Sequence, residues 1–391
     1  MVVSKHAIKV NNLFTTTEDE RRAVAENFDM LITGDWNTQF LAELKTVNPS
    51  LLIIIYRNVC FIDIKVTEEI DVARANGWIL KDSTGEEVYQ INYPDLRLAD
   101  VGNPGYQDML AEICYLYVQD INTDGIMGDS MALRPRVDIW SAWPINPRTG
   151  AEYTDGEWNA GIRSMVAKIK TFTGKLLIGN GYGMICGCNQ WMVGYWNSKN
   201  YADPVINLLD GVLVEGFIRF SGTDWRTPDV WLSDIEYFRT LSAKGKTDLA
   251  WVITSGLPAG ATVEQVAMFG FASYLLAKKG NNTYFVVRGY ESQLLPVSKA
   301  DVGVPVGDYF LRPDAPVYQR NYTNVKVLVN PTDTSYTIQV EGATDPIVME
   351  AHTGTILDIP TPALPWWNLL IKIVGPIGVG LYLLGRPTRR G

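Results

Sequence analysis

Short apolar runs of strand length recur through the first three quarters of the chain. There are eight: 27–33 (NFDMLIT), 50–56 (SLLIIIY), 97–102 (RLADVG), 124–129 (DGIMGD), 175–180 (KLLIGN), 210–216 (DGVLVEG), 248–254 (DLAWVIT) and 283–289 (TYFVVRG). Between them lie segments with helical spacing, among them 104–120, where Pro104 suits a first turn, 156–173, 229–243 and 262–279. Runs that are apolar throughout predict strands covered on both faces, and their alternation with helices predicts a parallel sheet. Eight units in about 260 residues fit a closed (β/α)8 TIM barrel. A doubly wound open sheet is the alternative, disfavoured because no GxGxxG follows the first strand and no P-loop occurs.

Beyond Gly289 the pattern changes. From 304 to 360 the runs shorten and alternate with turn signals (APVYQRNY, NVKVLVN, TSYTIQV, TGTILDI), which predicts a small antiparallel β-sandwich. The expected organisation is an N-terminal extension at 1–25, a catalytic (β/α)8 barrel at 26–300, an accessory β-domain at 301–360 and an apolar tail at 361–391. The tail has two readings. Its length, Trp366 and Trp367 at its start and Arg386, Arg389 and Arg390 at its end suit a membrane anchor, which would place the protein at a cell surface, envelope or virion. Lys372, Pro376 and the short apolar stretch between Lys372 and the arginines suit a buried or partner-binding segment of a soluble protein.

Composition narrows the chemistry. The 391 residues are 47% hydrophobic, 11% aromatic and 20% charged, an ordinary globular balance that can bury a large core. A net charge of −9 and the lack of a dense Lys/Arg run before the last six residues argue against nucleic acid as a partner. Four cysteines in a chain this long make no disulfide framework, and Cys186-Gly-Cys188 lacks the spacing of a zinc site. Neither a metal nor a cofactor is expected. The two histidines, His6 and His352, lie at opposite ends of the chain, so a triad built on histidine is a poor fit. MVVSKHAIKVNN at the N-terminus holds no apolar core of signal-peptide length.

In a barrel of this type the chemistry sits where the strands finish, and two of the runs finish on acids. Asp129 closes the fourth and Glu215 the sixth, and alternate strands feed the same layer of the interior, so both carboxyls could face one pocket. Glycoside hydrolysis needs such a pair, one as acid and the other as nucleophile or base. The plainer alternative is that Asp129 caps a turn and that Glu215 pairs with Arg219 or Arg226. Further polar candidates for sugar hydroxyls follow the other runs: Arg57 and Asn58, Asp100, Asn180 and Tyr182, Trp251 and Arg288. The loops add aromatics, of which Trp143 and Trp225 are the candidates for stacking on a sugar ring; most other loop tryptophans are expected to pack on the rim.

The segments INYPDLRLADVGNPGYQDML, DGIMGDS and GVLVEGF resemble the glycoside-hydrolase-like TIM-barrel families, in particular hypothetical glycosyl hydrolase family fifteen, and VYQRNYTNVKVLVNPTD is similar to the small C-terminal β-domain of such enzymes. The likeness spans about residues 26 to 360. Where those relatives read DGVFLDN, this chain departs at Gly128 and Ser130 and keeps the carboxylate at Asp129. Resemblance to the α-galactosidase-type clan implies Asp129 as nucleophile and Glu215 as acid/base, hence a retaining glycosidase acting on a polysaccharide or glycoconjugate. The alternative is a non-catalytic carbohydrate-binding or structural surface protein on the same scaffold.

Overall fold

The computed structural model describes residues 5–10, 13–34, 39–136, 138–180, 191–219, 224–288 and 301–358, with backbone alone at 191–198 and 288. The expected tail and Tyr182 lie outside the described residues. Eight parallel strands close a barrel. In chain order they begin with β1 (Lys5–Val10), β2 (Met30–Thr33) and β3 (Leu52–Asn58). An inserted antiparallel sheet follows, made of β4 (Phe61–Asp63), β5 (Tyr89–Gln90) and β6 (Tyr93–Leu98). The barrel resumes with β7 (Gly125–Asp129), β8 (Leu176–Asn180), β9 (Gly211–Glu215), β10 (Asp248–Ile253) and β11 (Thr283–Arg288), and β11 pairs back onto β1.

Two expectations are corrected here. Residues 1–25 are not an extension, because Lys5–Val10 is the first barrel strand; KHAIKV interrupts its apolar residues with lysines and so lacks a continuous run. The run 97–102 is not a barrel strand. Its first residues belong to β6, which pairs antiparallel with β4, and Leu98, Ala99, Asp100 and Val101 are buried beneath the inserted lobe. The apolar signal was genuine burial, but not in the barrel. The two corrections offset, so β7 remains the fourth barrel strand and β9 the sixth.

The floor of the barrel repeats one device. Asp29, Asp124, Asp210 and Asp248 stand at the start of β2, β7, β9 and β10, and each carboxylate accepts a backbone N–H from the neighbouring strand: His6 at 2.8 Å, Ile53 at 2.8 Å, Leu177 at 2.8 Å and Val212 at 3.0 Å. Amides at the strand entrances that have no ladder partner are thereby satisfied. Lys45 and Lys170 neutralise Asp124 and Asp210. Glycine follows two of these aspartates for a steric reason: a Cβ on Gly125 would collide with the Leu176 carbonyl, and one on Gly211 with that of Thr247.

Side-chain parity does the rest. One buried cluster takes alternate residues from the barrel strands: Ala7, Met30 and Ile32, Ile54, Met127, Ile178, Leu213, Leu249 and Trp251, Tyr284 and Val286. These fill the interior, while the complementary set (Ile53, Ile55, Ile126, Leu177, Val212, Val214, Ala250, Val252) packs outward in a larger cluster with the helices.

After the barrel come β12 (Phe310–Leu311), β13 (Tyr318–Asn321), β14 (Lys326–Asn330), β15 (Tyr336–Ile338), β16 (Ile347–Met349) and β17 (Thr353–Leu357). They form a four-stranded antiparallel sheet, β12-β13-β14-β17, and a two-stranded one, β15-β16, with a small core of Val317, Leu328, Ile338, Val340 and Met349. No strand of this region joins the barrel. It docks on the helix Val263–Ala277, where Gly354 lies so close to Ala272 and the Met268 carbonyl that a side chain would not fit. Arg320 donates to the carbonyls of Leu275 and Leu276, and Tyr322 to that of Leu275, closing the helix C-terminus. That helix is buried almost all round for this reason. Among the described residues no helix is long and apolar enough to cross a membrane.

Candidate active site

Period-two alternation carries the interior faces of the strands up to the C-terminal mouth of the barrel. Two residues beyond Met127 stands Asp129, beyond Ile178 Asn180, beyond Leu213 Glu215, beyond Leu249 Trp251, beyond Ala7 Lys9, and beyond Ile54 first Tyr56 and then Asn58. A floor of apolar side chains is thus topped by a ring of polar ones. Together with Gln90, Tyr93 and Leu96 from the inserted sheet they line an open cavity of about 280 Å³.

Both acids sit where the chain leaves the barrel. Ser130 takes a left-handed φ of 60° and its N–H donates to Asp129 Oδ1 at 2.7 Å; Gly216 takes a φ of 79° and its N–H donates to the Trp251 carbonyl at 2.8 Å. A left-handed residue ends the strand directly after each carboxylate and turns the backbone away from the mouth. The asparagine of the DGVFLDN pattern suits that conformation, and Ser130 holds it here with a hydrogen bond from Asn58 Nδ2 to its Oγ at 3.0 Å. A buried-type strand ends on a charge because its last interior position opens into the cavity.

Asn180, on the strand between the two acids, links them. Its Nδ2 donates to Asp129 Oδ1 at 2.6 Å and to Glu215 Oε2 at 2.8 Å. Sharing one donor keeps those two oxygens within about 5.4 Å of each other. Tyr56 donates to the other oxygen of Asp129 at 2.5 Å, so Asp129 is held from three sides. Burial first, and then the negative charge of Asp129, hold the Tyr56 hydroxyl well above the usual phenol range, so it stays protonated and keeps donating. Lys9 lies 4.2 Å from the centre of the Tyr56 ring and 5.5 Å from that of Trp251, a cation set against aromatic faces beside the acids.

Of the residues expected from sequence, the cavity brings together Asp129, Glu215, Asn58, Asn180 and Trp251. Arg57 does not point into it. Lying between Tyr56 and Asn58 it has the opposite parity, faces outward and pairs with Glu69. Asp100 is fully buried away from the cavity, where Arg148 (2.9 Å) and Tyr153 satisfy it. Trp143 donates to the Tyr153 carbonyl at 3.1 Å and packs its loop. Trp225 stacks on His352 at 4.7 Å and meets Phe269 edge-on, which joins the barrel to the C-terminal sheets. Arg288 ends β11, with its backbone paired to Ile253. Arg219 is bound to the carbonyls of Ile253 and Ser255, and Arg226 to the buried Asp234.

Sequence reasoning missed Lys9, Tyr56, Gln90, Tyr93, Leu96, Met127 and Ser130. Parity along β3 would have found Tyr56, since it shares a face with Ile54 and Asn58. Gln90, Tyr93 and Leu96 carry no such signal, because only the folding of the inserted sheet over the mouth brings them to the site.

Among solved structures the fold is similar to trehalose-6-phosphate hydrolase of Bacillus licheniformis (TM-score 0.56, 9% identity, 92% of this chain and 99% of that one). It is also similar to a debranching enzyme of Nostoc punctiforme (TM-score 0.51, 13% identity, 89% of each chain). An α-galactosidase of Geobacillus stearothermophilus matches at a TM-score of 0.52 with 9% identity, over 90% of this chain and 55% of that one. At such identities the likeness is one of fold. No curated protein matches the sequence. The model of one family matches residues 45–326, a stretch that contains both acids, the Asn180 between them and the inserted sheet over the mouth, and the chain therefore belongs to hypothetical glycosyl hydrolase family 15.

Proposed function

We propose that the protein is a retaining glycoside hydrolase acting on a polysaccharide or glycoconjugate, with Asp129 as nucleophile and Glu215 as general acid/base. The observation that carries this reading is the single donor, Asn180, shared by two carboxylates at the mouth of the barrel. Two carboxyls that share one donor stand close together, which supports the retaining arrangement, with carboxyls about 5 to 5.5 Å apart, over an inverting one, with about 6.5 to 9.5 Å between them to leave room for water. An open cavity around the acids favours an enzyme over an inert scaffold, whose mouth has no need to stay clear.

The reaction follows from the placement. With a ring in the cavity, an Asp129 oxygen attacks the anomeric carbon while protonated Glu215 gives its proton to the glycosidic oxygen; the C–O bond breaks and the leaving sugar departs as an alcohol. The glycosyl ester on Asp129 is then hydrolysed by water, whose proton returns to the Glu215 carboxylate. Tyr56, the Ser130 amide and Asn180 aim Asp129 in both steps and receive its charge when it is released. Residues 301–358 would serve as an accessory β-sandwich that braces the helix Val263–Ala277 behind β10 and β11.

Screening the purified protein on a polysaccharide panel by release of reducing ends tests the reading. On any substrate found, Asp129→Asn is expected to keep the fold and sugar binding while lowering kcat by at least about 10³-fold, and Glu215→Gln by about 10²- to 10⁴-fold, most on poor leaving groups. A variant that turns over a natural glycoside at close to the wild-type rate refutes the role given to that residue.

A further inference from the structure

A second chamber of about 610 Å³ opens beside the catalytic cavity and shares Tyr56, Asn58, Tyr93 and Leu96 with it. Its outer wall is the inserted lobe, including Phe61, Val66 and Pro94. The two spaces are neighbours across these four residues. At about 280 Å³ the catalytic cavity falls just below the usual 300–1,000 Å³ of small-molecule sites, so it holds little more than one ring, and a longer ligand has the second chamber beside it.

The chamber's chemistry restricts what continues into it. Tyr93, one of the shared residues, stands 58% exposed, an aromatic face with a polar tip of the kind sugar rings stack on. Asn92 adds a side-chain amide to the lining. The cations in the lining are already matched: Arg57 is paired with Glu69, and Lys65 with Asp95 at 2.6 Å. Asp63 adds a further carboxylate, which accepts the Lys65 N–H at 2.9 Å. A carboxylate or sulfate on the ligand would meet surplus negative charge and no unmatched cation among these residues, whereas an uncharged ring meets neither penalty.

We infer that this chamber is a subsite for a second sugar ring without negative charge next to the scissile bond, so that the substrate is a non-acidic oligo- or polysaccharide chain and not a single-ring glycoside. The inference rests on the glycosidase reading of the neighbouring cavity. The assignment separates two jobs: Asp129 and Glu215 act on one bond, while the inserted lobe holds the chain on one side of it.

Length-dependent binding tests it. Calorimetric titration of the full chain carrying Glu215→Gln would use malto-, cello-, galacto- and chito-oligosaccharides of one to six units, with oligogalacturonates as the charged ladder. Expected is an uncharged ladder whose affinity rises about tenfold or more from one unit to two or three, with no such rise for the galacturonates. Val66→Trp, which fills the chamber from its outer wall, should abolish the increment, and Asn92→Trp from another side should do the same; melting curves check that both fold. Affinity independent of length, an increment that survives both fillings, a stronger response to the charged ladder, or no sugar bound at all would overturn the subsite. The two readings fail separately. A length increment lost on filling, with no reducing ends released by the wild type, keeps the subsite and removes catalysis. Hydrolysis of aryl monoglycosides with no length effect keeps catalysis and removes the subsite.

Discussion

Replacing Asp248 with asparagine isolates one buried carboxyl at the barrel floor. Of the four strand-initial aspartates, Asp124 and Asp210 have lysine partners, but Asp248 is fully buried with Oδ1 on the Val212 N–H and Oδ2 without a hydrogen-bond partner. Burial pushes its pKa from 3.8 up to about 7, with the Val212 amide and the charges of Lys246 and Lys244 pulling the other way. A native pKa above the unfolded one means that the folded chain keeps a proton the unfolded chain has released. The stabilisation is fully present below about pH 4 and is lost as pH rises to about 7. The interval between these limits corresponds to roughly 4 kcal/mol, falling by about 1.4 kcal/mol per pH unit. The amide of Asp248→Asn would retain an oxygen for the Val212 N–H and cannot ionise, so the variant's stability should lack this slope. Reversible urea unfolding of both proteins at unit steps from pH 4 to 8 reads the difference, in which every other titrating group cancels. The variant should gain on the wild type steadily up to about pH 7 and no further. Parallel curves across that range would refute the argument.

Three substitutions separate the site from its scaffold. Asn180→Ala removes the charge-assisted hydrogen bond that each of the two carboxyls receives, and steady-state kinetics on the folded variant should show kcat reduced by at least about 10²-fold. Asp100→Asn should do the opposite: chemical denaturation shows a loss of about 1–3 kcal/mol while kcat of the folded enzyme stays near wild type, because Asp100 binds Arg148 and not the cavity. Gly211→Ala, whose Cβ collides with the Thr247 carbonyl, should destabilise by about 3 kcal/mol or more, and a variant that melts like the wild type would show that the β9–β10 contact is looser than described.

Legibility in the sequence followed physical cause. Strands buried on both faces announce themselves as apolar runs, so β2, β3 and β7 to β11 were readable, and with them Asp129 and Glu215 as terminal residues. β1 was not, because its interior positions are occupied by Ala7 and Lys9, one small and one charged, which leaves no hydrophobic run. The run 97–102 misled for the converse reason: Leu98, Ala99 and Val101 are as buried as any barrel residue, and burial alone does not say which sheet a residue joins. Between Arg57 and Asn58 the deciding quantity was strand parity, fixed by Ile54 in the interior, and a strand-end rule that ignores parity accepts both. Trp225 and Trp143 show the limit for aromatics, since a loop tryptophan against His352 or a carbonyl looks no different in sequence from one facing a sugar.

The two ends of the barrel use the same side chain under opposite conditions, and that contrast is what marks the functional end. At the floor, Asp124 and Asp210 each meet a backbone amide and a lysine, partners fixed by the fold, and such pairs are complete without a ligand. At the mouth, Asp129 and Glu215 are tied to a side-chain amide, a phenol hydroxyl and a turn amide on one flank and open to the cavity on the other. Asn180 holds two carboxyls together through one amide, a pairing the barrel core does not need, since apolar residues on alternate strands already close the interior beneath. On the proposed reading such a pair, at the C-terminal end of a parallel barrel and open to a cavity, is placed for bond cleavage, and that opening distinguishes Asp129 and Glu215 from Asp100 and Asp234, buried by the fold and each closed off by an arginine.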